Sequence, residues 1–196
     1  MVARAAAAGR TREGIVDAVI ALAAERFLED TTLADMADRA GVTVQTVLRH
    51  FEGRDALLSA AVRRVEEEAV QAPRRQVVPG DIDAVAFRVV ADYERFGDTL
   101  MRWLAQEERV SLMRPIVERG RSMHHAWIEW VFEPQLSGGR PGARKRLRAQ
   151  LIAVTDVYTW KLLRRDLRLS RREAERAIAE LIRGVVANRD DKEEER

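Results

Sequence analysis

Of 196 residues, 34 are Lys or Arg, 32 are Asp or Glu, and 46% are hydrophobic, enough for a core in one larger domain or two small ones. No run of 18 apolar residues exists, so no membrane partner is expected, and the absence of cysteine excludes disulfides, thiolate metal sites and a cysteine nucleophile. The first residues, MVARAAAAGRTR, lack the apolar centre of a signal peptide, and a cytoplasmic location is expected.

Residues 1–12 read as a flexible basic arm carrying Arg4, Arg10 and Arg12, either a loose terminus or a phosphate and minor-groove contact. A first helix is expected over about 11–29, with Ile15, Val19, Leu22, Ala23 and Phe27 on one packing stripe. The stretch TLADMADRAGVTVQTVLRHFEGRD, Thr32 to Asp55, then reads as two short helices hinged at a glycine. Thr32 caps the first, with Asp35 three residues on in a capping-box pattern. Leu33, Met36, Ala37 and Ala40 form its apolar face, and Gly41 ends it by taking a positive φ. Thr43 caps the second, where Val44, Val47, Leu48 and Phe51 are apolar and Gln45, Thr46, Arg49 and His50 are polar. Side chains of that polar set suit base edges and phosphates, and a helix fits the major groove. A helix-turn-helix is expected.

Over about residues 13–62 these motifs resemble the DNA-binding domain of the TetR family of bacterial transcriptional regulators. The match runs from the amphipathic first helix through TTLADMADRAGV to Arg49-His50-Phe51 and the turn Glu52-Gly53-Arg54-Asp55. Two departures stand out. Arg26-Phe27-Leu28 replaces the family's glycine and aromatic after the first helix, and Leu48 stands where a phosphate-touching tyrosine is usual. The resemblance implies an all-α protein: an N-terminal three-helix DNA-binding domain, then a C-terminal helical domain for ligand binding and dimerisation. It implies DNA contacts from Thr32, Thr43, Val44, Gln45, Thr46, Arg49 and His50, with Arg54 opening the next helix as a phosphate ligand. Arg49 suits guanine or phosphate and Gln45 suits adenine. Residues 1–68 hold nine Arg against twelve Asp or Glu, a formal −3, so binding would rest on the placement of single arginines rather than on bulk charge.

The fourth helix is expected from Arg54 through Val65. The proline-rich segment QAPRRQVVPGD then gives the boundary between a DNA-binding domain at 13–72 and a second domain at 73–187, with a charged tail at 188–196. Nine of the eleven aromatics fall within residues 87–160, including all four tryptophans. Helices are expected at 82–96, ended by Gly97, at 99–110, capped by Asp98, and from Pro115 to Phe132. Two long helices follow, 143–165 and 171–187, with apolar stripes including Leu147, Leu151, Val154, Tyr158 and Leu162, and Ala174, Ile178, Leu181, Ile182 and Val185. In TetR-like proteins the last pair packs on its symmetry mate, so the resemblance implies a homodimer reading a palindromic operator in double-stranded DNA.

Trp103, Trp127, Tyr158 and Trp160 form either packed core or the wall of a pocket for an unknown small-molecule effector, with Glu107 and His124 among the polar groups that would orient it. His124 and His125, being consecutive, diverge by about 100° on a helix and cannot chelate one metal together. No catalytic residue, metal site or cofactor is expected, and the protein reads as a non-enzyme. The alternative is a helical small-molecule-binding or interaction protein without DNA function, favoured by the formal −3 and by Leu48.

Overall fold

The computed structural model describes residues 2–27, 31–111, 113–138 and 140–194, with side chains throughout these except at 2–5, 24, 69 and 189–194. Arg4 of the expected arm and the tail from Arg189 onward therefore lie outside the described side chains. All regular structure among the described residues is helical: α1 (Val2–Glu25), α2 (Leu33–Arg39), α3 (Val44–His50), α4 (Arg54–Arg64), α5 (Ala72–Arg74), α6 (Ile82–Gln106), α7 (Met113–Val131), α8 (Glu133–Leu136), α9 (Pro141–Val154), α10 (Val157–Lys161) and α11 (Arg171–Glu194). Wider π-helical turns continue α4 over Val65–Gln71 and α10 over Leu162–Asp166. The all-α class expected from the sequence is the observed one.

The chain forms two compact units. One comprises the residues up to Ala69 together with Arg102–Val117, and the other Val70–Met101 together with the residues from Glu118 onward. In the first, α1 packs on α2 and α4, and α2 on α3. Ile15, Val19, Leu22, Met36, Ala37, Val47, Leu57 and Leu58 are buried there in one cluster, joined by Met113 and Ile116. The expected boundary at residue 73 is thus not where the packing divides, because 102–117 supplies core to the N-terminal unit. Phe27, expected on the core stripe, is exposed. Helix α1 begins at Val2, well ahead of residue 11, and takes in the stretch expected as an arm.

In the second unit the buried residues include Val85, Ala86, Val89 and Val90 of α6, Ile128 and Val131 of α7, Leu147 and Leu151 of α9, Trp160 of α10, and Ala174, Ile178 and Ile182 of α11. Helices α9 and α11 pack together. Two expectations need correction. Gly97 does not end a helix, since α6 runs through it to Gln106. It is a close-approach site instead, where a Cβ would lie 2.3 Å from Cζ3 of Trp160. The expected 143–165 helix is broken at Thr155 and Asp156. Asp156 turns extended and caps α10 by accepting from the Tyr158 N–H. The break is anchored in the core: the Tyr93 hydroxyl donates to the Thr155 carbonyl at 3.2 Å, satisfying a helix-end acceptor that would otherwise be orphaned.

Candidate functional site

Helix α3 has seven residues and could not persist alone, so its caps and anchors decide how it stands. The Thr46 N–H donates to Oγ1 of Thr43 at 3.1 Å, and the two hydroxyls lie 3.0 Å apart. Val47 is fully buried and sets the roll of the helix. That roll leaves Val44, Gln45, Leu48 and Arg49 exposed, with Thr46 and His50 half-buried at the flanks. At the far end Phe51 is buried as the C-cap, with the Arg12 guanidinium 4.8 Å from its ring centroid.

The preceding helix is held as the sequence pattern requires. The Asp35 N–H donates to Thr32 Oγ1 at 3.2 Å while the Thr32 N–H donates to the Asp35 carboxylate at 2.7 Å. Hydrogen bonds from the Thr32 hydroxyl and then from its backbone N–H hold the Asp35 carboxyl below its ordinary pKa. Gly41, at φ 66°, makes the turn toward α3. Two arginines of this region are engaged within the protein. Arg39 makes a bidentate pair with Glu25, at 2.6 and 2.9 Å, that ties α2 to α1. Arg54 donates from Nε to the Thr31 carbonyl at 2.7 Å and pairs with Asp55 at 3.1 Å. Thr43, Gln45, Thr46 and Arg49 therefore share one accessible surface, Val44 lies beside them, Thr32 acts as a cap, and Arg54 braces the loop before α2.

The six expected effector residues do not form one group. Trp103 packs against the core of the first unit, to which Glu107 also belongs. In the second unit Trp160 is fully buried beside Gly97 and donates from Nε1 to Glu94 at 3.0 Å, whereas Tyr158 is 55% exposed. Trp127 does line a groove of about 370 Å³, together with Val70, Gln71, Arg74, Arg75, Met123, Ala126 and Trp130. The Arg74 guanidinium lies 4.5 Å from the Trp127 ring centroid, and the Arg74 carbonyl accepts from the Trp127 indole N–H at 3.3 Å.

Behind this groove is a buried ionic cluster. Asp92 accepts from Arg74 Nε at 2.7 Å and pairs with Arg88 Nη2 at 2.8 Å. Burial raises the Asp92 pKa against the pull of both arginines. His124 is buried too, and its Nε2 lies 3.1 Å from Thr155 Oγ1. Since that hydroxyl donates to the Leu151 carbonyl at 2.7 Å, Nε2 carries the proton and Nδ1 is a buried acceptor without a hydrogen-bond partner. Burial, then the nearby Arg74 and His125, hold the His124 pKa down to about 3. The Arg74–Asp92–Arg88 cluster went unforeseen. Its signal was present: Asp92 lies seven residues after Val85 and three after Val89, on the apolar face of α6. No group of three metal-ligating side chains is found among the described residues.

A capped helix pair presenting Gln45 and Arg49 on an exposed face, in a chain whose described regular structure is all helical, defines a helix-turn-helix protein. Residues 15–61 match the family model for bacterial regulatory proteins of the tetR family. The chain is 28% identical over 123 residues to the HTH-type transcriptional regulator BetI 1 of Chromohalobacter salexigens, a match covering 60% of each chain. It thus spans less than two thirds of that relative's length. The fold is similar to that of a transcriptional regulator from Rhodococcus sp. Rha1, with TM-score 0.69 and 19% identity over 90% of this chain and 96% of that one. It is also similar to a tetR-family transcriptional regulator from Streptomyces coelicolor, with TM-score 0.66 and 16% identity over 95% and 85% of the two chains. Residues 15–61 are thus similar to the DNA-binding region of the tetR family of bacterial regulatory proteins, and the chain shares its fold with the solved regulators.

Proposed function

We propose that this protein is a homodimeric, sequence-specific DNA-binding repressor released by a small-molecule effector. The observation that carries the reading is the exposed row of Gln45 and Arg49 on a helix capped by Thr43 and locked by Val47. Gln45 and Arg49 lie one turn apart and reach base edges in one groove, Arg49 toward guanine or phosphate and Gln45 toward adenine. Thr43, Thr46 and His50 contact phosphate at the flanks. A seven-residue helix reads too few bases alone, and two copies related by a dyad read a palindrome. Leu181, 44% exposed on α11, together with the half-buried Val185, Val186 and Ile152, supplies an apolar surface for a second copy on the packed pair α9 and α11.

The groove beside Trp127 is the effector site of this reading. Its walls are aromatic and aliphatic, its polar groups are Gln71, Arg74 and Arg75, and no carboxylate lines it among the described residues. Such a lining favours a neutral or anionic amphiphile, because Arg74 already occupies a face of Trp127 where an organic cation would stack.

Selection of genomic fragments by the purified protein, repeated at two salt concentrations, tests the reading. One enriched palindrome is expected, bound more weakly as salt rises. Arg49→Ala and Gln45→Ala should each weaken that complex by ~10-fold or more while the dimer persists, as a lost base contact is worth about 1–3 kcal/mol. Absence of enrichment at low salt would favour a helical ligand-binding protein without DNA function, the reading that the formal −3 of residues 1–68 supports.

A further inference from the structure

The accessible face of α3 carries two rows of different chemistry. Gln45 and Arg49, four residues apart, form the polar row. Val44 and Leu48, also four apart, form an apolar row beside it and are 38% and 49% exposed. Helical spacing stacks each pair one above the other. Rolling the helix to hide the apolar row would expose Val47, which is fully buried, and would break the Thr43 cap on Thr46. The branched side chains are therefore held in water by the same contacts that present Arg49. Single exposed apolar residues are ordinary on a protein surface. An aligned pair on a seven-residue helix, flanked by a glutamine and an arginine, is a small recognition surface of mixed character.

We infer that Val44 and Leu48 read thymine C5-methyl groups in each half-site, beside the bases met by Gln45 and Arg49. This inference rests on the DNA-binding reading above. In the major groove the base edges present hydrogen-bond donors and acceptors, and the thymine methyl is their apolar feature. The juxtaposed rows match such a floor: donors and acceptors on one side, branched aliphatic carbons on the other. The flanking Arg49 gives the surface a charge that suits a phosphate-lined groove rather than an apolar protein partner.

The inference is tested on the palindrome enriched by the full-length protein. Each thymine of a half-site is replaced in turn by uracil, which keeps the pairing and O4 but lacks the methyl group. At one or two positions the wild-type protein should lose about fourfold in affinity, the worth of one buried methyl. Leu48→Ala should bind the thymine site more weakly by a similar factor and should no longer distinguish thymine from uracil there; Val44→Ala should do the same at a neighbouring position. Leu48→Met, which restores an apolar side chain of similar volume, should recover the discrimination, and thermal melts of each variant separate recognition from folding. Uracil tolerated at every position, with salt-dependent binding to the palindrome retained, overturns the inference and leaves the DNA-binding reading standing. An undiminished uracil penalty in both alanine variants also overturns it. Failure to enrich any DNA removes both.

Discussion

On α3, Thr43, Gln45 and Arg49 meet water, whereas in the second unit Arg74, Asp92, His124 and Thr155 meet one another. The two sets contain the same kinds of chemistry, hydroxyl, cation and hydrogen-bonding side chain, under opposite solvation. A reading helix must keep its donors unburied until a partner supplies acceptors, so the protein holds it by backbone caps and one buried valine. A helical unit that surrounds a groove must satisfy polar groups internally, since an unpaired buried donor or charge costs several times what an exposed one does. On the proposed reading, exposure marks the surface that meets DNA, and buried pairing marks the frame of the groove.

The largest test of that contrast is Asp92→Ala. It leaves Arg74 buried and Arg88 mostly so, facing each other without a counter-charge. Breaking a buried ion pair in this way costs about 3–5 kcal/mol. Chemical denaturation followed by tryptophan fluorescence should show the loss, since Trp127, Trp130 and Trp160 all lie in the second unit. Converting the whole cluster with Arg74→Met, Arg88→Leu and Asp92→Leu should recover most of it, because well-packed apolar residues replace a buried ionic group at little cost. A single variant as stable as the wild type would show that water reaches the cluster and that the contrast in solvation is false.

His124 supplies a pH-dependent version of the same test. Above pH 6.5 the folded and unfolded chains both carry a neutral imidazole. Between 6.5 and about 3 the unfolded chain binds a proton that the buried ring refuses, so the stability present at neutral pH is lost as pH falls through that window. One proton difference corresponds to roughly 1.4 kcal/mol per pH unit. His124→Gln, which can still donate toward Thr155, should flatten this part of the pH–stability profile. A slope unchanged in the variant would mean that the proton is taken up elsewhere.

The readability of these regions from sequence follows the same divide. The α2 and α3 caps were legible because capping is local: Thr32 with Asp35 and Thr43 with Thr46 lie three residues apart, and the observed bonds are those the spacing demands. The exposure of Gln45 and Arg49 followed from periodicity once Val47 was assigned inward. The second unit resisted because its decisive contacts are remote in sequence. Gly97 read as a terminator since its reason for being small is Trp160, 63 positions later. The break at Thr155 depends on Tyr93, 62 residues earlier. Tyr158 and Trp160 looked equivalent as pocket aromatics, yet the turn capped by Asp156 rotates one outward and buries the other. Arg74 sat in what read as a linker, and only the fold brings it to Asp92 and Trp127.

The smallest expected effect is at Thr43, and it sharpens the comparison from the exposed side. Thr43→Ala removes the hydroxyl that accepts from the Thr46 N–H, and loss of an N-cap of this type costs about 1 kcal/mol. Because α3 has only seven residues, that loss falls on the pose of Gln45 and Arg49 rather than on the core of the second unit. Far-UV circular dichroism should report earlier melting of the first unit, while the tryptophan-reported transition of the second stays in place. Thr43→Ser keeps the cap and should behave as wild type in both. If instead Thr43→Ala leaves the first transition unmoved and still weakens DNA binding, the hydroxyl acts on phosphate alone. Val47 would then hold the helix without help from its cap.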